Sequence, residues 1–384
     1  MKRIFTQIEF KWRLLGLLLI LSLLYGFWQH FLDPIQPIHE CRKADSLSQA
    51  MQFMKGGHLF APRTHAISNF GQQEAAAEFP IIYYVIGQIW RLVGYHLWIA
   101  KLFSISYLLL AIIAFRQVLL SYFYSEKLTL IFSGIIFSSP VLIYYADTLL
   151  PDVFSFASLL LSASYFYRYV QTYKLRHWLV FTIFLAIAVL IKITALVAVL
   201  SFVGAFFFYS LHQANRAHWQ DRRMWFGYLG LFLVLVLTIW WYRYAIAYNT
   251  KHHSHIFSTT IRPIWEVNVA ERWRILGIIG REHLKEIMHP LLLMLLLLVL
   301  VVQLAKGKVP LFFRYWLLVA LVGLSAYFIL WFWVFEVHDY YFIEALFFPL
   351  TIVAIVIKNY SEFLLDQKVG KWIFGAGLTF VFLN

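Results

Sequence analysis

Cys41 is the only cysteine in the chain, so there can be no intramolecular disulfide and no thiolate metal cluster, and cysteine usage does not reveal the redox compartment. Charge is scarce as well. Charged residues make up 13% of the 384, and acids are the rarer kind, 19 Asp and Glu against 32 Lys and Arg. The formal net charge of +13 would suit a nucleic-acid partner, but Lys and Arg are scattered between apolar runs, with no aromatic-interleaved basic groove and no soluble domain. There is no internal repeat and no low-complexity linker. What the chain has in abundance is apolar surface. Its residues are 62% hydrophobic and 20% aromatic, and the mean hydropathy is +0.72, which makes lipid the solvent for most of the chain.

The first apolar run, Leu14 to Trp28, follows Lys2, Arg3, Lys11 and Arg13, the layout of a signal peptide. The residues after it, Gln29-His30-Phe31-Leu32-Asp33-Pro34, hold no small-x-small cleavage site. An uncleaved signal anchor with a cytoplasmic N-terminus is therefore expected. A hydrocarbon core of about 30 Å takes roughly 17 to 25 apolar residues per helix, and on that ruler about eleven segments qualify. They are 14-31, 97-115, 128-145, 153-169, 178-191, 193-211, 226-244, 290-305, 312-335, 342-357 and 372-383. Lys192 interrupts an otherwise continuous run, and an ammonium in lipid costs a few kcal/mol, so Lys192 is expected at a membrane face between two helices. Basic residues then alternate as the positive-inside rule requires. Arg116 and Lys127, Arg168 to Arg176, Arg216 to Arg223, Lys306 to Arg314, and Lys358 to Lys371 fall in inner loops, while the short outer loops 146-152 and 336-341 hold no Lys or Arg. The expected architecture is all-α and polytopic. It is a single membrane domain, 1-384, with two long extracytoplasmic segments, 32-96 and 245-289.

Acids cluster in those outer loops rather than mid-helix, which favours surface chemistry over transport. Residues His39 to Gly57 read as a helix that puts Leu47, Ala50, Met51 and Met54 on one face and is ended by Gly56-Gly57, with Glu40 and Asp45 near its start. It is either an amphipathic helix lying on the membrane or a catalytic segment in which a carboxylate takes a proton while the Arg42-Lys43 pair clamps phosphate. Glu78-Phe79-Pro80 leads into a short aromatic stretch with Tyr83, Tyr84 and Trp90, which reads as an interfacial helix. Asp147 to Asp152 is a tight outer turn whose Pro151 and Asp152 also suit plain helix punctuation. Glu336-Val337-His338-Asp339-Tyr340-Tyr341 carries more polar chemistry than a turn needs, although paired tyrosines also build ordinary interfacial belts. His252-His253-Ser254-His255 lacks a nearby carboxylate and is a weak metal candidate. In the same long segment Arg262, Trp265, Glu266, Arg272 and Arg274 would suit a headgroup phosphate or a sugar face. Lys192 is either a phosphate contact or a snorkelling lysine.

In order and spacing, His39-Glu40-x-Arg42-x-Ala44-Asp45, Glu78-Phe79-Pro80 with Tyr83-Tyr84, Pro151-Asp152, Lys192 and His338-Asp339-Tyr340-Tyr341 resemble the bacterial family-39 glycosyltransferases of the GT-C type. That family includes enzymes like the protein O-mannosyltransferases and the aminoarabinose transferases of lipid A. The resemblance runs from about residue 12 to about residue 357. It implies a GT-C-like fold in the bacterial inner membrane and an extracytoplasmic active site that moves a sugar from a polyprenyl-phosphate donor, with inversion, to a lipid, glycan or protein acceptor. An acid of the first outer loop would be the base, deprotonating an acceptor hydroxyl or orienting an acceptor phosphate. The family commonly has Asp-Glu where this chain has His39-Glu40. By the spacing to Ala50 the resemblance favours Asp45 as base, with Glu40 second. Glu78 and Asp152 would be supporting acids, Arg42 and Lys192 would meet the donor phosphate, and His338, Asp339, Tyr340 and Tyr341 would line the donor pocket. The family is not uniform in needing a divalent cation, and no committed ligand set stands in the sequence. The large C-terminal domain of many relatives has no counterpart here, so acceptor recognition is expected from segments 32-96 and 245-289 or from another protein. A lipid-linked sugar flippase would share the spans and basic patches, and a non-catalytic assembly subunit would show no turnover. The sole cysteine tests this topology. A membrane-impermeant maleimide added to intact spheroplasts should label Cys41, and labelling only after permeabilisation would put segment 32-96 on the cytoplasmic side.

Overall fold

Glycine and proline decide where several of the helices stop. In the computed structural model, which describes residues 2–33, 38–64, 74–212, 222–254, 262–361 and a few positions beyond, the first helix, α1, runs Lys2–Leu24. It ends seven residues before the expected end of the first span. Gly26 takes a φ of +75°, the Gly26 N–H bonds to the carbonyl of Leu23 and that of Phe27 to Ser22, a glycine C-cap that apolar periodicity does not register. The first-loop helix, α2 (Glu40–Met54), ends as expected, with Gly56 at a φ of +100°. A short α3 (Ile81–Val93) follows, and then α4 (Leu97–Phe123).

The expected span 128-145 is two helices, α5 (Glu126–Phe137) and α6 (Pro140–Tyr145), because Ser138-Ser139-Pro140 interrupts the ladder and Pro140 opens the second piece. Next come α7 (Pro151–Thr172), α8 (Leu175–Ile191), α9 (Leu196–His212) and α10 (Arg222–Lys251). Helix α10 extends seven residues past the expected span. Beyond it are α11 (Val269–Ile278), a π-turn at Ile279–His283 and α12 (Leu284–Ile287), so much of the expected long loop 245-289 is helical. The chain continues with α13 (Pro290–Ala305), α14 (Leu311–Leu330), three short 3-10 turns at 332–336, 339–342 and 344–346, and α15 (Phe347–Asn359). The expected span 372-383 lies largely outside the described residues.

The described residues are helical apart from turns and one isolated bridge between Arg63 and Glu74. Five helical segments have the length and apolar composition to cross a membrane: Leu97–Phe123, Ile193–His212, Met224–Lys251, Leu311–Leu330 and Asp339–Asn359. A sixth results if Val269–Ile287 and Pro290–Ala305, which meet at 84°, form one broken span. Their outward faces are apolar. Phe232, Val236 and Ile239 on α10, and Leu318 and Val322 on α14, stand exposed, as a lipid-facing surface requires and a water-facing one would not tolerate in such density.

One core joins α1, α4, α5, α6, α7 and α15 around Leu18, Leu108, Ile112, Phe137, Leu142 and Ile343. A second fixes α2 and α3 on the ends of α4, α7 and α8, through Phe53, Ile86, Trp90, Ala100, Phe154 and Ile191. Helix α2 is therefore more than a surface helix with one apolar face. Leu47 and Ala50 are buried as expected, but so are Lys43 on the same face and Ser46, Ser48 and Gln49 on its other sides. The α2–α3 crossing is close because Gly87 has no side chain; a Cβ there would lie 2.6 Å from the Ala50 carbonyl oxygen and 2.6 Å from the Phe53 Cβ. In an open helix Gly→Ala stabilises by about 1 kcal/mol. Here the sign should reverse, because backbone cannot move aside, and Gly87→Ala should lower the melting temperature of the detergent-solubilised protein, read by tryptophan fluorescence.

Candidate functional site

Two successive residues ahead of α2, Ile38 and His39, sit in the left-handed region, with φ of 64° and 57°. Such backbone costs on the order of 1–3 kcal/mol per non-glycine residue and persists only where other contacts hold it. For His39 the holding contact comes from 300 residues along the chain. Its Nε2 lies 2.9 Å from Oδ1 of Asp339, and the same carboxylate oxygen accepts a 2.5 Å hydrogen bond from the Tyr145 hydroxyl. The His39 ring stands edge-on to Tyr340, at 5.0 Å, and 5.4 Å from His338.

One helical turn on, Arg42 projects from the same side of α2 as His39 and pairs with Glu78. The Tyr83 hydroxyl donates to the same Glu78 oxygen at 2.7 Å. Burial works to raise the Glu78 carboxyl, but the Arg42 charge and the Tyr83 hydrogen bond outweigh it and hold the group below the ordinary carboxylate value. Glu78 is placed by its neighbour, since the Phe79 N–H bonds at 2.9 Å to the carbonyl of Leu190, two residues before Lys192.

Lys192 is the break between α8 and the 3-10 turn Ile193–Ala195, in extended backbone, as expected for an ammonium that cannot stay inside an apolar run. Its Nζ meets Oδ1 of Asp152 at 2.8 Å and lies 3.9 Å from the centroid of the Tyr341 ring. Burial opposes the lysine charge, yet Asp152 more than compensates, so Lys192 stays charged well above its usual range. Asp152 is fully buried, so it is not the solvated helix-start charge that punctuation alone would produce. Beside it stands Glu344, also buried, which motif reading missed. The Asp152 Oδ2 and both Glu344 oxygens meet no donor, because the Ser155 hydroxyl next to Glu344 donates to the Ala188 carbonyl instead. A lone acid in Tyr341-Phe342-Ile343-Glu344-Ala345-Leu346 was the available signal, since a carboxylate in an apolar run is functional by default.

Ten predicted residues thus separate. Arg42, Glu78, Asp152, Lys192, His338, Asp339, Tyr340 and Tyr341 come together, joined by His39, Tyr83 and Tyr145. The two preferred bases fall outside that contact network. Glu40 is exposed, and Asp45 accepts from the Thr64 hydroxyl at 2.9 Å while its backbone carbonyl accepts from Ser48. Arg272 and Arg274 are committed locally, to the Val267 carbonyl at 2.7 Å and to Glu336 at 2.6 Å, and Arg262 covers the Trp333 ring. His252 packs on Tyr248 at 4.5 Å, and His255 lies outside the described residues. Among the described residues no group of three or more His, Cys, Asp or Glu side chains is arranged to hold a metal ion. Next to the main cluster, Lys43, Lys101 and Asp147 line a small cavity with Leu47, Leu97 and Leu149. Lys101 ties the chain after α1 to the end of α4, donating to the His30 and Asp33 carbonyls.

Fold and site together define an all-helical chain, with helices apolar enough for lipid, that gathers paired charges and tyrosines at one set of helix ends. No family model matches the sequence, and no curated protein or solved structure matches the chain.

His338 gives the cluster a pH signature. Burial first, and then the neighbouring His39 ring and the positive charges of Lys192 and Arg42, push its imidazole down to about 4. Unfolded, it takes a proton near pH 6.5. Between those values the unfolded chain binds more protons than the folded one, so stability falls as pH falls through that window, by at most about 1.4 kcal/mol per pH unit, and levels off below it. Thermal melts in detergent from pH 7.5 to 4 should show this loss, and His338→Asn should flatten it.

Proposed function

We propose that the chain is a glycosyltransferase of the GT-C type that moves a sugar from a polyprenyl-phosphate donor to an acceptor on the extracytoplasmic face of the bacterial inner membrane. One observation carries this reading: side chains from five separate segments, at 39–42, 78, 152, 192 and 338–341, converge on one cluster at the ends of the helices. A lipid-borne phosphate reaches such a place from the bilayer and a water-borne nucleophile reaches it from the other side. The ordered motifs of the family-39 enzymes fall within that cluster, Asp45 and Glu40 excepted.

In this reading Lys192 and Arg42 receive the donor phosphate. Lys192 donates to Asp152 and has two further N–H donors, and a guanidinium presents a fork matched to phosphate oxygens. Glu78 and Asp152 keep the two cations ionised and oriented while the site is empty, since an unpaired buried charge would cost several kcal/mol. The tyrosine faces at 340 and 341 suit one side of a sugar ring. As the C1–O bond to phosphate breaks, charge grows on the departing phosphate, and the fixed cations stabilise it where it develops. The span count of about eleven belongs to this reading too, with α1, the α5–α6 pair, α7, α8, α13 and the segment 372-383 joining the five segments that are long and apolar enough to cross.

One observation favours a carrier instead. Glu344 and Asp152, two buried acids beside a single lysine, are what a proton-coupled flippase would place in its path. The two readings separate in one assay. Purified protein in nanodiscs is incubated with a panel of polyprenyl-phosphate sugars and membrane acceptors, and products are identified by mass spectrometry. Sugar transfer by the native chain is expected, with Lys192→Gln weakening donor binding roughly 10- to 100-fold, the equivalent of one lost charge-assisted bond. Donor translocation in proteoliposomes without any transferred product would replace the enzyme reading with the carrier.

A further inference from the structure

We propose that His39, oriented by Asp339 and Tyr145, is the general base of this site, and that the acceptor is therefore a hydroxyl and not a phosphate. The proposal rests on the transferase reading. It starts from the contact already described, a histidine in strained left-handed backbone at the head of α2, locked to a carboxylate at the opposite end of the sequence.

A carboxylate accepts, so the Asp339 bond fixes the proton of neutral His39 on Nε2 and leaves the lone pair on Nδ1. This is the arrangement of a base with its orienting acid, in which the acid holds the tautomer and stabilises the imidazolium once it forms. Asp339 is itself held by the Tyr145 hydroxyl, and the His39 side chain is only 10% exposed. The charged and titratable groups around the ring are Asp339, His338 and Tyr340 on the turn after α14, Tyr145 on α6, and Arg42 and Lys43 on α2. By contrast, the carboxylates that could compete are paired, hydrogen-bonded, out in solvent or, for Glu344, buried with both oxygens closed to solvent. Glu78 is held ionised by Arg42, Asp152 by Lys192, Asp45 accepts from Thr64, and Glu40 is exposed.

The step balances without a co-reactant. The acceptor oxygen forms the new bond to the anomeric carbon from the face opposite the phosphate, and its proton passes to Nδ1 of His39. The C1–O bond to phosphate breaks with its electron pair on the polyprenyl phosphate, and the imidazolium, neutralised by Asp339, later returns the proton to water. A base is needed for an alcohol, which must lose a proton to attack. A phosphate acceptor is already anionic at neutral pH and needs none.

Four measurements test this on the full chain in nanodiscs. The transfer rate of the native protein should rise with pH through one ionisation. His39→Ala should lower kcat by about 10²- to 10⁴-fold, the usual contribution of a general base, with donor KM little changed. His39→Asp should recover part of the rate and move the rise to lower pH, because a carboxylate loses its proton earlier than an imidazole. Asp339→Asn should lower kcat and shift the rise, a change that merely loosened packing would not produce. Donor binding and monodisperse elution confirm that each variant is folded. Products should survive mild acid, as glycosides do and glycosyl phosphates do not. His39 variants that keep the native rate and pH rise, or a product cleaved by mild acid, overturn the proposal while leaving the transferase reading intact. Absence of transfer by the native chain with every donor sinks that reading, and this proposal with it. Solid-state ¹⁵N spectra of labelled histidine, assigned by loss of a signal in His39→Asn, are independent of turnover: a neutral His39 protonated on Nδ1 instead of Nε2 would also overturn it.

Discussion

Charge in an apolar surrounding has to be neutralised where it sits, and one set of helix ends is arranged around that requirement. Arg42 with Glu78, Lys192 with Asp152 and His39 with Asp339 each join segments distant in sequence. Buried pairs of this kind add little net stability compared with an apolar core, because desolvation offsets most of their attraction. Their cost when broken is another matter. A single lost partner leaves a buried charge unmatched, and that asymmetry fixes the register of α2 against the 78–83 segment and of α8 against α7.

The apolar packing supports the same geometry from below. Gly87 lets α3 cross α2 at a separation that any Cβ would prevent, and Trp90, Phe53 and Ile86 fill the space around that crossing. The Phe79 N–H on the Leu190 carbonyl then sets Glu78 near Lys192. Strain at Ile38 and His39 is tolerated because Asp339 and Tyr145 hold the histidine from the other side. Two buried acids, Asp152 and Glu344, stand near one lysine, Lys192, whose ammonium lies 3.9 Å from the Tyr341 ring centroid.

Much of this was readable in the linear chain. The α2 helix and its glycine stop, the break at Lys192 and the helix start at Pro151 all follow from local rules and all stand in the structure. Eight of the residues singled out by motif meet in one cluster. The boundaries that failed did so for local reasons too, a glycine cap at Gly26 and a serine-proline break before Pro140, both weaker signals than the apolar periodicity around them. The base is a different matter, since Asp45 and Glu40 are the ones the motifs favour and neither joins the cluster. Asp45 and His39 are six residues apart on the same short segment, and nothing in their spacing says that one turns to Thr64 and the other to Asp339.

Composition and periodicity alone determined that the chain is helical and built from segments suited to lipid, because helix formation closes hydrogen bonds within four residues and apolar runs choose their solvent without reference to the rest of the fold. Only the tertiary structure decided which charge meets which. Those pairings act through space across up to 300 residues, and they depend on how the helices pack. The contact of His39 with Asp339 exists only in the fold, and a lone glutamate at position 344, which no motif had marked, stands beside Asp152.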